Sequence, residues 1–247
     1  MSREAQNALL LLLGLSTAMV AVTGEFTRYV KPSLLPWLLI SAAALLGLAL
    51  TCIVRDLRAP GAGHPADDAE HHDHAHRSGV LWLLTVPVLV LIFVVPPALS
   101  ARSVTSSVSL VSSDVLRKAY PPLPAGAAPE RSLAETMVRS RYDTAGTLTG
   151  RTITLIGFTA KDPRNPGVTD LARITITCCA ADARMSRIAL AGPQADVAGK
   201  LPENTWVQVQ GVVQPPKTAD PEELSVMTLS ALQRISAPAD QYDYFTR

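Results

Sequence analysis

Hydrophobic residues are unevenly spread along this chain. Three long runs without a charge occupy most of the first hundred positions. They are "NALLLLLGLSTAMVAVTG" (Asn7 to Gly24), "LLPWLLISAAALLGLALTCIV" (Leu34 to Val54) and "GVLWLLTVPVLVLIFVVPPAL" (Gly79 to Leu99). Each approaches the roughly 20 apolar residues a helix needs to cross the hydrocarbon core of a bilayer. Trp37 stands where an interfacial anchor would, Pro87 predicts a kink, and Pro96-Pro97 predicts a stop. The first run, preceded by Arg3, also has the outline of a signal peptide. However, "TGEF" lacks a small-x-small cleavage site and two more spans follow, so the reading is a retained span.

After Leu99 the period changes. Residues 103–145 are rich in Ser, Pro and Ala and read as a linker, within which "RSLAETMVRSRYD" predicts a short helix with Ser132 and Glu135 at capping-box spacing. Five stretches then alternate apolar and polar residues and favour β-branched side chains: 150–160, 171–178, 184–192, 205–214 and 224–235. The insertion "PQADVAGKLPEN" follows the third. Five short strands with an insertion at that place predict a small all-β, OB-like barrel. The expected organisation is a membrane region with three transmembrane helices (1–102), including a loop at 59–78, then the linker, a barrel over 146–237 and a tail over 238–247.

Charge decides direction. Basic residues number four on one side of the spans (Arg3, Arg55, Arg58, Arg77) and three on the other (Arg28, Lys31, Arg102). The positive-inside rule then predicts an inside N-terminus and an extracytoplasmic C-terminal domain. Net charge is +1 and aromatics make up 5% of the chain, with no basic clustering. Nucleic acid is therefore not an expected partner, whereas the three apolar runs make membrane lipid one.

The loop at 59–78 holds every histidine of the protein: His64, His71, His72, His74 and His76. Neutral imidazole is a common ligand for transition metals, so zinc or a similar ion is the cofactor these residues suggest; a pH-responsive loop is the other reading. Two of the three cysteines are neighbours, in "RITITCCAADA". If the strand continues through them, Cys178 shares the core face of Ile174 and Ile176, and Cys179 points outward. If the strand ends at Thr177, a turn brings both thiols to one side, where they would serve as soft metal ligands or as a redox centre. Packing of both thiols and a strained vicinal disulfide are the alternatives. Asp182 is the nearest carboxylate, either a third ligand or the cap of a turn. No histidine follows His76, so a Cys-His enzyme is not expected.

With "HHDHAH", "VVPPALSARSV", "RITITCCAADA" and "TWVQVQGVV", the chain resembles the YcgQ-like family of bacterial membrane proteins. The family's distinctive positions fall on Cys178, Cys179, Ala180, Ala181, Asp182, Trp206 and Gly211. The resemblance implies an accessory subunit in the bacterial plasma membrane, working beside a YcgR-like multi-span permease. A membrane-anchored sensor or interaction module with packed cysteines is the competing expectation.

Overall fold

The computed structural model describes residues 3–58, 99, 117–162, 165, 167–218, 220 and 223–244. The histidine loop, and the third apolar run apart from Leu99, lie outside the described residues. The chain divides into two compact units, Met1–Pro97 and Ala98–Arg247.

In the first unit, helices α1 (Arg3–Thr23) and α2 (Leu35–Arg58) are both long and apolar enough to cross a membrane. They form an antiparallel hairpin. Gly14 lets the backbones approach, since a Cβ there would lie 2.9 Å from Leu46 Cγ. Ala21, Ala42 and Ala49 are likewise buried. Near the other pair of ends Asn7 Nδ2 donates to Asp56 Oδ2 at 2.8 Å. Small residues and an interhelical hydrogen bond are what hold helices together where apolar burial gives no advantage over lipid. Large apolar side chains point away from the pair: Met19 is 63% exposed, Trp37 66% and Val22 80%. The link between the helices turns at Gly24, whose φ of +79° is costly for other residues, and carries the ion pair Arg28–Glu25 at 2.9 Å.

The second unit is a mixed seven-stranded sheet domain. Its strands are β1 (Glu130–Arg131), β2 (Thr152–Lys161), β3 (Thr169–Ile176), β4 (Arg184–Ala191), β5 (Trp206–Gln214), β6 (Val226–Arg234) and β7 (Tyr242–Tyr244). Helix α3 (Leu133–Tyr142) follows β1 and the short α4 (Ala195–Gly199) follows β4. The sheet order is β1-β2-β5-β6-β4-β3-β7, and β2 also pairs with β3. Five strands therefore form a ring of pairings. All are antiparallel except β4 with β6, which run parallel from Ala189↔Val226. Neighbouring residues separate onto two faces: Leu171 joins a cluster with Leu133, Ile153, Leu155, Ile188, Val209 and Met227, while Ala172, Ile174 and Ile176 join Phe158 and Tyr242.

Two segments differ from the sequence expectation. Of the stretch read as a linker, the described part (117–145) is folded into the domain: Leu123 and Leu133 lie in the main core, and β1 pairs in parallel with β2 at Glu130↔Thr154. The helix inside it is as expected, with Ser132 Oγ accepting from the Glu135 N–H at 3.3 Å. Glu135 does not complete the capping box, because Arg131 and Arg139 take its carboxylate. The stretch read as a tail supplies β7, parallel to β3, and the Tyr242 hydroxyl accepts from the Leu99 N–H at 3.0 Å. Asp243 of β7 then ties the domain's ends together. Its carboxylate accepts from Ser132 Oγ (2.9 Å) and the Ala134 N–H (3.2 Å) at the start of α3, and pairs with Arg173 (3.1 Å).

Candidate metal centre

Strand β3 stops at Ile176 and β4 starts at Arg184, so "TCCAADA" is the connection between two antiparallel neighbours. The ladder stops because Asp182 takes the next three amides. Its Oδ1 accepts from the Thr177 N–H at 2.7 Å, and its Oδ2 accepts from those of Cys178 (2.7 Å) and Cys179 (3.2 Å). Ala180–Asp182 form a 3-10 turn with Cys179 as its N-cap.

The expectation that Cys178 faces the core is therefore corrected. Alternation ends with the strand, and Cys178 is exposed while Cys179 is half-buried. Both thiols are free, with their Sγ atoms 3.8 Å apart. The two sulfurs and a carboxylate oxygen of Asp182 all lie within 4.8 Å of one another. Two thiolates bound to one zinc ion at about 2.3 Å in tetrahedral geometry stand about 3.8 Å apart, so the pair needs little movement to share an ion.

Hydrogen bonding sets the charge state. The bond to Asp182 and the contact with Cys179 push the Cys178 thiol up to about 11 from an ordinary 9.0. Burial pushes the Asp182 carboxyl up, but bonds from the Cys178 thiol and the three amides outweigh it and hold the group below the usual carboxylate range. A thiol held protonated is a poor nucleophile. It remains a ligand for an ion able to displace its proton.

The other motif positions belong to the scaffold. Trp206 opens β5, meets the Phe158 ring edge-on (centroids 5.6 Å, interplanar 74°), and has the Arg173 guanidinium 5.8 Å from its centroid. Gly211 sits at the β5–β6 irregularity, where a Cβ would lie 2.2 Å from the Thr228 carbonyl oxygen. His71, His72, His74 and His76 lie outside the described residues. The sequence reading passed over the Thr177 amide as a member of the turn; an Asp five positions on was the available signal.

Two family models match the chain, one on each side of residues 114–132. Residues 6–113 match the DUF1980 N-terminal domain, and residues 133–245 match the DUF1980 C-terminal domain. The chain carries both DUF1980 domains. The cysteine turn, Trp206 and Gly211 all fall in the C-terminal DUF1980 domain, and the two apolar helices in the N-terminal one. No curated protein matches the chain. Among solved structures, one described as an aspartyl-tRNA synthetase from Leishmania major Friedlin aligns over 49% of this chain and 24% of its own. With 12% identity and a TM-score of 0.27, that likeness has no bearing on function.

Proposed function

We propose that this chain is an accessory subunit of a two-part permease in the bacterial plasma membrane, and that it handles a thiophilic or borderline metal ion, zinc or similar. The observation that carries the metal reading is the pair of accessible thiols at 3.8 Å beside Asp182. The exposed Cys178 also weighs against the competing reading of both cysteines as packing residues. The permease reading rests on the resemblance to the YcgQ-like family. Two apolar helices supply an anchor, with too few polar groups for a transport path of their own. We read the five-strand ring, with its parallel β4–β6 pair and α4 after the third strand, as an OB-like barrel. The histidine loop is the second metal contact of this proposal, and the region from Gly79 to Leu99 its third span.

The test is purification of a tagged full-length copy from its native membrane, followed by metal analysis. The expected result is a co-purifying multi-span membrane protein, together with bound metal. That metal should fall when His71, His72, His74 and His76 become Gln, and fall again when Cys178 and Cys179 become Ser. A chain purified without a multi-span partner overturns the permease assignment; metal content unchanged by both sets of substitutions overturns the metal assignment.

A further inference from the structure

Resting on the metal reading of the same turn, we infer that Asp182 positions the two thiols without ligating the ion. Cys178 and Cys179 then hold a thiophilic divalent cation by two sulfurs, and its remaining positions are filled by thiol donors from outside the domain.

A carboxylate offers about four lone-pair sites. Three of those on Asp182 are committed to the amides of Thr177, Cys178 and Cys179. Turning an oxygen towards an ion would strip amides of their acceptor and unwind the turn that brings the sulfurs together. The sulfurs' own contact, the Cys178 thiol to Cys179 Sγ at 3.8 Å, is a weak one that two metal–sulfur bonds would replace. The sulfur separation of 3.8 Å suits a bent S–metal–S unit, whereas a linear one at about 2.3 Å per bond would need about 4.6 Å. Among the described residues the group has only these three members, and a closed structural site uses four protein ligands. With Cys178 exposed, the open half of the coordination sphere faces outward. Soft ions replace water by sulfur, so the external donor of choice is a thiol. On binding, each protein thiol releases its proton to solvent as its sulfur forms the metal bond. Each incoming thiol does the same and displaces one water. No oxidation occurs. Such a centre suits the passing of an ion from one thiol carrier to another.

The test is titration of the full-length protein in detergent with cadmium chloride, following the ultraviolet sulfur-to-cadmium charge-transfer band, to which imidazole and carboxylate ligands do not contribute. The band should saturate at an intensity of two thiolates per ion. It should halve in Cys178→Ser and in Cys179→Ser, and be unaffected by Cys52→Ser. Adding 2-mercaptoethanol should raise it towards four thiolates per ion while the cadmium stays with the protein. Asp182→Asn keeps one accepting oxygen but sets an NH2 group against the remaining amides, and should weaken cadmium binding less than Asp182→Ala does, with the two-thiolate band preserved. Asp182→Ala should weaken it more than tenfold. Equal loss in Asn and Ala would make the carboxylate a ligand, and a band indifferent to added thiol would mean a closed sphere; either overturns the inference and leaves the metal reading standing. No band at all overturns both.

Discussion

Asp182 acts on the Cys178 thiol as well as on the backbone of the turn. The amides of Cys178 and Cys179 both donate to Oδ2, and the same carboxylate is the first cause of the raised Cys178 thiol. Exposure alone would make Cys178 a reactive cysteine. Since its thiolate appears only as the pH rises towards about 11, against an ordinary 9.0, its alkylation by iodoacetamide near neutral pH should lag a model thiol by roughly one to two powers of ten. Asp182→Asn removes the negative charge and should restore most of that rate. Site-resolved mass spectrometry of the metal-free protein checks this, and a wild-type rate equal to the model thiol would contradict the geometry. The same scale decides between the two strand readings of Cys178. Alternation holds only while the ladder continues, and a carboxylate six residues beyond Ile176 decides where it stops.

Among the elements, β5 shows how a motif residue serves the scaffold. Gly211 lies against the β6 backbone at the ladder's irregularity, and a methyl group there would meet a carbonyl oxygen at 2.2 Å. Backbone cannot swing aside as a side chain does. Gly211→Ala should cost about 1–3 kcal/mol or more and lower the melting temperature of the domain. Gly150→Ala, at an open turn with φ +66°, should cost less; the order of the two thermal melts is the check. Helix α3 ends on an acid-sensitive joint. Burial raises the Asp143 carboxyl, but hydrogen bonds from the Thr147 hydroxyl and from the amides of Thr147, Tyr120 and Ala145 dominate and lower it to about 2. A folded value below the unfolded one of about 3.9 means stability that is present above about pH 4 and lost as the pH falls towards 2. Asp143→Asn should therefore melt below the wild type at about pH 6, with the gap closing near pH 2. A gap constant across that range would remove the assigned cause.

For the whole molecule the open question of direction has a simple form. With three spans, the α1–α2 connection and the sheet domain lie on the same side; with two, they lie on opposite sides. In a Cys178→Ser, Cys179→Ser background, Thr27→Cys and Thr218→Cys should both react with a membrane-impermeant thiol reagent on intact cells, as three spans and an inside N-terminus require. Labelling at Thr27 alone would reduce the anchor to the α1–α2 hairpin. How much of this was legible in the sequence depended on the range of the force involved. Helices α1 and α2, the five ring strands and the Ser132 cap were legible because each is specified by composition, period or a contact three residues away. Strands β1 and β7, two and three residues long, carry no local signal; parallel pairing with β2 and β3, with Tyr242 buried and Asp243 tied to Ser132 and Arg173, makes them strands. The linker and tail boundaries failed for that reason. By itself, then, the sequence determined the apolar anchor, the strand positions and the adjacency of the two thiols, because hydrophobic period and covalent neighbourhood are local. Tertiary structure alone decided that the ring closes, that the two ends of the sheet domain meet, and that both sulfurs emerge on one side of a turn, because each depends on groups far apart in the chain or on where a ladder runs out of partners.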